Sequence, residues 1–302
     1  MPERKPRDDE LDAFGITHAG KVRPTNQDHF LLGSLRQRFN LWQSSLPEIA
    51  QLPIVEDRVA SLIMVADGVG GGQKGDQASQ LAVEELTQYV NESARCYYHS
   101  DTTDQSFVRD LERAALKCHH AVVERGASDP DSTGMATTLT LMIIIWPWTY
   151  VLQVGDSRYY EYKDGALTQI SHDQTLAQEL IDSGVFAAAV RNTPLANVLS
   201  SSIGGSQTAP VVTRVPTTWS TVHLLCSDGL TKHVSDEKIA ERLGTMTSAR
   251  QACEQLLQDA LDGGGTDNIT VCIGRAVKKD QAELRDEPIP GGPAAEPVGT
   301  SG

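Results

Sequence analysis

Tight turns join the strand-like segments of this chain in pairs, and that spacing limits its fold more than any other feature. The β-branched, apolar stretches at 137–145 and 150–154 are separated only by Trp146-Pro147-Trp148-Thr149, close enough for a hairpin, and Asp164-Gly165 marks another such turn after a strand at 157–163. Further short strands fit 62–66, 222–226 and 269–273. Between them lie amphipathic helices. Ala78, Leu81, Ala82, Leu86, Tyr89 and Val90 recur at three and four over 77–90, behind a candidate N-cap at Asp76. Phe107, Leu111, Ala115, Cys118 and Val122 form a second stripe over 107–123. Ala249, Cys253, Leu256, Leu257 and Ala260 form a third over 248–261, with Gly263 as its stop. Shorter helices fit 176–182 and 236–243. Paired strands with long helical insertions predict an α+β fold with antiparallel sheets rather than a doubly wound parallel one. No GxGxxG or GxxxxGK[ST] phosphate loop is present.

No repeat or composition shift divides the chain, so one domain is expected over 13–277. It is flanked by a charged flexible tail at 1–12 and a Pro- and Gly-rich one at 278–302, too poor in apolar residues to repay ordering. Twenty-six Lys and Arg against 40 Asp and Glu leave a net charge of -14. Such a field repels nucleic acid and anionic membrane, and neither is an expected partner. No apolar run approaches the ~20 residues of a membrane span, and the N-terminus is charged where a signal peptide is apolar. The chain is therefore expected to be cytoplasmic. Five cysteines without a CxxC pair suggest neither a disulfide framework nor a zinc site, only reduced, buried thiols.

The acids carry the chemistry. Asp67, Asp156 and Asp228 each follow an apolar strand, and Asp267 precedes one. If neighbouring strands alternate in direction, all four carboxylates share one edge of the sheets, where like charges disfavour ionisation unless cations intervene. An oxygen-rich set without cysteine suits Mg²⁺ or Mn²⁺. Two such ions about 3.5–4 Å apart support phosphoester hydrolysis by a shared hydroxide. Gly68 and the run Gly70-Gly71-Gly72 leave room for backbone carbonyls and water. Arg23 is the leading candidate for gripping a phosphate, because guanidinium binds it in a fork. Taken singly, each Asp-Gly is first a turn signal, which suffices for Asp164-Gly165 and Asp262-Gly263. His29 and His172, tempting as acids, read as surface or core histidines.

These blocks, in this order, resemble the metal-dependent serine/threonine protein phosphatases of type 2C in their bacterial form: RPTNQD at 23–28, VADGVGGG at 65–72, TGMATTL at 133–139, VGDSR at 154–158, CSDGL at 226–230 and GGTDNITV at 264–271. The resemblance spans about 13–277. It implies a four-layer α-β-β-α sandwich of two antiparallel sheets flanked by helices, with the metal centre at one edge. It implies that Asp67 bridges two Mn²⁺ or Mg²⁺ ions and that the Gly68 carbonyl, Asp228 and Asp267 complete their ligands. Asp28 would hold bound water, Arg23 the substrate phosphate, and Asp156 a weaker third ion. Residues 171–202 correspond to a flap. The implied activity is hydrolysis of phosphoserine and phosphothreonine on proteins by a monomer opposing a Ser/Thr kinase.

The sequence departs from that pattern at several points. Val69 stands where many eukaryotic relatives carry a histidine, Gln27 where a glutamate is common, Gln174 where an Asp-His pair is usual, and Lys232 where many carry another acid. Residues 37–59, with Trp42, exceed a minimal connection. Two alternatives stay open: a pseudophosphatase that binds phosphorylated partners without hydrolysis, motivated by Val69, Gln27 and Lys232, and a phosphatase of the same fold acting in a sigma-factor switch.

Overall fold

The computed structural model describes residues 3–37, 57–70, 73–92, 105–128, 134–190 and 193–279. The expectations on Trp42, Cys96 and the C-terminal tail beyond 279 lie outside them. One sheet has the order β1 (Leu11–His18), β11 (Ile269–Ala276), β10 (Val222–Cys226), β7 (Arg158–Lys163), β8 (Ala166–Gln169). The other runs β2 (Asp28–Gln37), β3 (Asp57–Val69), β5 (Leu139–Ile145), β6 (Trp148–Val154), β9 (Val211–Pro216), with β4 (Ala136–Thr137) against the end of β3. All neighbours pair antiparallel.

The alternation along β3 shows why this becomes four layers. Leu62, Met64 and Ala66 pack with Ala82 and Leu86 of α1 (Gln73–Glu92) and Leu111 of α2 (Gln105–Ser128). Ile63 and Val65, on the opposite face, meet Tyr159, Leu225 and Cys272 of the other sheet. Both faces of the strand are covered, so the segment is apolar throughout instead of alternating. The outer face of the first sheet is closed by Ile239 and Leu243 of α6 (Asp236–Gly244) and by Cys253, Leu256 and Ala260 of α7 (Ala249–Asp262). Between β8 and β9 lie α3 (Leu176–Asp182) and α4 (Ala187–Val190), and α5 (Asp228–Thr231) follows β10.

The expected helices are found, that at 176–182 with the expected bounds and the others with shifted ends. Helix α1 begins at Gln73, so Asp76 lies in its first turn and is not the cap. Ser248 caps α7 through its side chain, and Gly263 ends it. The strand expected over 137–145 is broken at Thr138, which leaves the ladder to bond Asp67. Asp67 itself lies within β3 and not beyond its tip. The flexible tail expected at 1–12 is corrected for its described part. Glu10 is 1% exposed, held by Arg4 and Arg7. Arg58 bonds Asp8 and the Pro6 carbonyl, and β1 starts at Leu11. Charge density read as solvation is here local ion pairing. Cys118, Cys226, Cys253 and Cys272 are free and buried.

Candidate active site

Strand direction brings the acids to one end. The β2–β3 register sets Asp28 opposite Asp67, β10 ends beside the start of β11, and Asp156 lies between β6 and β7. Asp67, Gly68, Asp156, Asp228, Asp267 and Arg23 line a single cavity of about 360 Å³, with Asp28 behind them. Val69 and Gln27 also line it, and no histidine or cysteine does among the described residues. His172 bonds Asp182 at 2.8 Å and His29 meets Ser79 at 3.0 Å, both away from the cavity.

Each acid is fixed by neighbours of ordinary type. The N–H of Asp67 donates to Thr138 Oγ1 (3.0 Å), and its carbonyl accepts from Thr138 N (2.9 Å) and Thr137 Oγ1 (2.8 Å). Thr138 Oγ1 in turn meets Ser157 Oγ at 2.8 Å. The Oδ2 of Asp28 accepts from Ser227 Oγ and Thr270 Oγ1, each at 2.7 Å, which ties one sheet to the other. Asn268 donates to the carbonyls of Ala19 (3.0 Å) and Thr25 (2.9 Å) and accepts from Gln27 N (2.9 Å), holding the loop that carries Arg23. These hydroxyl and amide side chains escaped sequence reasoning as site residues. The only signal was that all of them fall inside the quoted blocks. Gly68 is required by contact: a Cβ there would lie 2.3 Å from the Gly75 carbonyl oxygen. Gly229 is required likewise, 1.9 Å from the carbonyl of Asn268.

The electrostatics is that of an undercompensated cluster. Burial pushes Asp28 up to about 6, with hydroxyl bonds from Thr270 and Ser227 opposing and Asp228 adding repulsion. Burial, Asp28 and Asp228 raise Asp67 well above the usual carboxylate range. Burial, Asp228 and Asp173 push Asp156 up to about 8, against the charge of Lys232. Burial raises Asp228 as well, again opposed by Lys232. Asp267 lies low, because bonds from Lys232 and Arg23 outweigh its burial. Arg23 reaches both its oxygens, Nε to Oδ1 at 2.8 Å and Nη2 to Oδ2 at 3.0 Å. Lys232 Nζ lies 2.6 Å from Asp228 Oδ2 and 2.8 Å from Asp267 Oδ2.

The donor set fits hard divalent ions. Asp28 Oδ1 and Asp228 Oδ1 are buried with no hydrogen-bond partner, which native interiors rarely tolerate. Every anionic group at the cavity is a carboxylate, the ligand type of Mg²⁺ and Mn²⁺. As the side chains stand, no three acids, histidines or cysteines among the described residues are grouped to hold one ion, and Asp228 and Asp267 are bonded to Lys232 and Arg23.

The segment expected as a flap contributes Asn197 and Leu199 to the cavity wall. It is anchored at its start by Asp173, which receives Arg158 Nη2 at 2.7 Å and Nε at 2.9 Å. Gln174 accepts from Gly155 N (2.7 Å) and donates to the Ala209 carbonyl (2.8 Å). The departure at Gln174 thus spans both ends of the segment.

A two-sheet sandwich with an oxygen-only acid cluster at one end defines the class, and comparison with known proteins gives the family. The pattern of protein phosphatase 2C matches residues 51–263, and the chain belongs to that family. The serine/threonine protein phosphatase PstP of Mycobacterium tuberculosis is 32% identical over 227 residues, 75% of this chain and 42% of that protein. The chain thus spans less than half the length of that relative. The serine/threonine phosphatase stp of Listeria monocytogenes is 31% identical over 214 residues, 70% of this chain and 83% of that protein. Among solved structures, the M. tuberculosis phosphatase PstP/Ppp superposes with a TM-score of 0.71 at 28% identity, covering 89% of this chain and 99% of that one. The catalytic domain of PstP in complex with two manganese ions gives 0.68 at 29% identity, with the same coverages. The four-layer sandwich expected from the sequence is therefore the observed fold. No helix among the described residues is long and apolar enough to cross a membrane.

Proposed function

We propose that this chain is a metal-dependent phosphatase of phosphoserine and phosphothreonine in proteins, opposing a Ser/Thr kinase. The observation that carries the reading is the convergence of Asp67, Asp228 and Asp267 on one cavity, where Oδ1 of Asp228 and of the neighbouring Asp28 is buried with no hydrogen-bond partner. Asp67, the Gly68 carbonyl, Asp228 and Asp267 would hold two ions, Mn²⁺ or Mg²⁺. When bound, these supply Lewis-acid stabilisation and lower the pKa of water toward about 7.

The protein's own part is placement and charge. Arg23 stands at the cavity mouth, 48% exposed at its side chain, where its fork can pass from Asp267 to a phosphate. Asp28, joined to Ser227 and Thr270 and paired opposite Asp67, would accept a proton from water at the site. Val69, at the cavity wall, has no proton to give the leaving alkoxide. A purely binding role would leave the unsatisfied oxygens of Asp28 and Asp228 without use. The test is hydrolysis of p-nitrophenyl phosphate and of a phosphothreonine peptide with Mn²⁺, with EDTA, and by Asp67→Asn and Asp228→Asn. Turnover that survives chelation or either substitution overturns the assignment.

A further inference from the structure

The acid cluster is not uniformly short of cations. Its deeper oxygens, Asp28 Oδ1 and Asp228 Oδ1, have no partner. Its outer edge is served by a side chain: Lys232 follows Asp228 by four residues and turns back over it. The C-cap position of Lys232 has helical dihedrals (φ -65, ψ -27), and from there its ammonium reaches Asp228 Oδ2 at 2.6 Å and Asp267 Oδ2 at 2.8 Å. Asp156, only 9% exposed, lines the same cavity wall as Lys232 and Asp228. Within the described cavity lining the only other cation is Arg23, which is committed to Asp267.

We propose that Lys232 is a tethered cation that takes the place of a metal ion at the Asp156 edge, so that the chain loads two ions and no third. This rests on the metal-dependent reading above and replaces the expectation that Asp156 ligates a weak ion. A divalent ion between Asp156 and Asp228 would sit within a few ångströms of the ammonium, where like charges in a partly buried site repel strongly. With Lys232 present, the Asp228 oxygen that faces this edge already has a positive neighbour. The ammonium also guards the apo protein, because it holds Asp228 and Asp267 together when no ion is bound.

The test is Mn²⁺ titration of the full chain, stripped with EDTA and dialysed, followed by calorimetry and by the electron paramagnetic resonance signal of free Mn²⁺. The wild type and Lys232→Arg should each bind two ions, and Asp156→Asn should leave that number unchanged. Lys232→Met should bind a third ion. Lys232→Met should also melt at a lower temperature in EDTA yet gain more from Mn²⁺ than the wild type does. If Lys232→Met folds poorly, Lys232→Gln gives the same comparison. Two ions and no third in Lys232→Met, at whatever affinity, or the loss of one in Asp156→Asn, overturns this inference and leaves the phosphatase reading standing. Failure of the wild type to bind any Mn²⁺ overturns both.

Discussion

Where β1 begins, Glu10 is 1% exposed, and Arg4 meets its two oxygens at 2.7 and 2.5 Å, which with further bonds from Arg7 pulls its carboxyl down to about 2. At the opposite end of the same sandwich Asp28 is 3% exposed, one of its oxygens has no partner, and its carboxyl is pushed up to about 6. The two ends bury acids to the same depth and differ in what faces them. Around Glu10 and Asp8 the guanidinium groups of Arg4, Arg7, Arg36 and Arg58 close the account. Around Asp67, Asp156 and Asp228 the protein supplies Lys232 and hydroxyl groups and stops short. Burial of charge is thus a structural device at one end and an affinity for external cations at the other.

The largest effect that sharpens this contrast is on catalysis. Asp67→Asn should lower Mn²⁺-dependent turnover by about a thousandfold or more, since it removes the acid expected to bridge both ions. Arg58→Ala, at the far end, should cost about 2 kcal/mol in urea unfolding, because it removes a buried side chain and the donor to the Pro6 carbonyl, while Asp8 keeps Arg36. Its turnover should hold within about twofold of the wild type, an extent appropriate to a site it does not touch. A comparable loss of activity would show that the two ends are not separable.

A third outcome concerns pH without divalent ions. Asp28 at about 6 and Asp156 at about 8 are raised in the folded chain, above their unfolded value of about 4. Their contribution to stability is therefore complete below about pH 4 and is lost as pH rises through 6 to 8. In EDTA, acidification from pH 8 to about 5.5 should stabilise the protein by about 1–3 kcal/mol, read from urea midpoints. Saturating Mn²⁺ should abolish that gain. Glu10 has the opposite sign: its contribution persists above its unfolded value and is lost only as pH falls toward about 2. The smallest effect is that of Thr138→Val, which leaves the Asp67 N–H without its acceptor. It should cost about 1 kcal/mol of stability and a few-fold in turnover.

What the sequence showed and what it hid divides along the same physical line. Strands β3, β10 and β11 were legible because Ile63, Val65, Leu224 and Val271 belong to unbroken β-branched or aliphatic runs. Strands β1 and β2 were not, because Gly15 and Gly33 interrupt them. Gly15 is there for packing: a Cβ would come within 2.6 Å of the Phe30 ring, a constraint that exists only once β1 and β2 face each other. The acids were legible from their place at strand ends, whereas Ser227, Thr270 and Thr138 gain meaning only from partners far along the chain. Residues 3–10 were misread because Arg4 and Arg7 look solvated until Glu10 is seen beneath them.

The amide of Asn268 bears on any effort to reshape the rim of the acid-lined cavity. It clamps the loop before β2 at both Ala19 and Thr25 while sitting next to Asp267 in the chain. Lengthening that loop would shift the Arg23 guanidinium away from Asp267, so engineered insertions belong instead beside Asn197 and Leu199, elsewhere on the cavity wall.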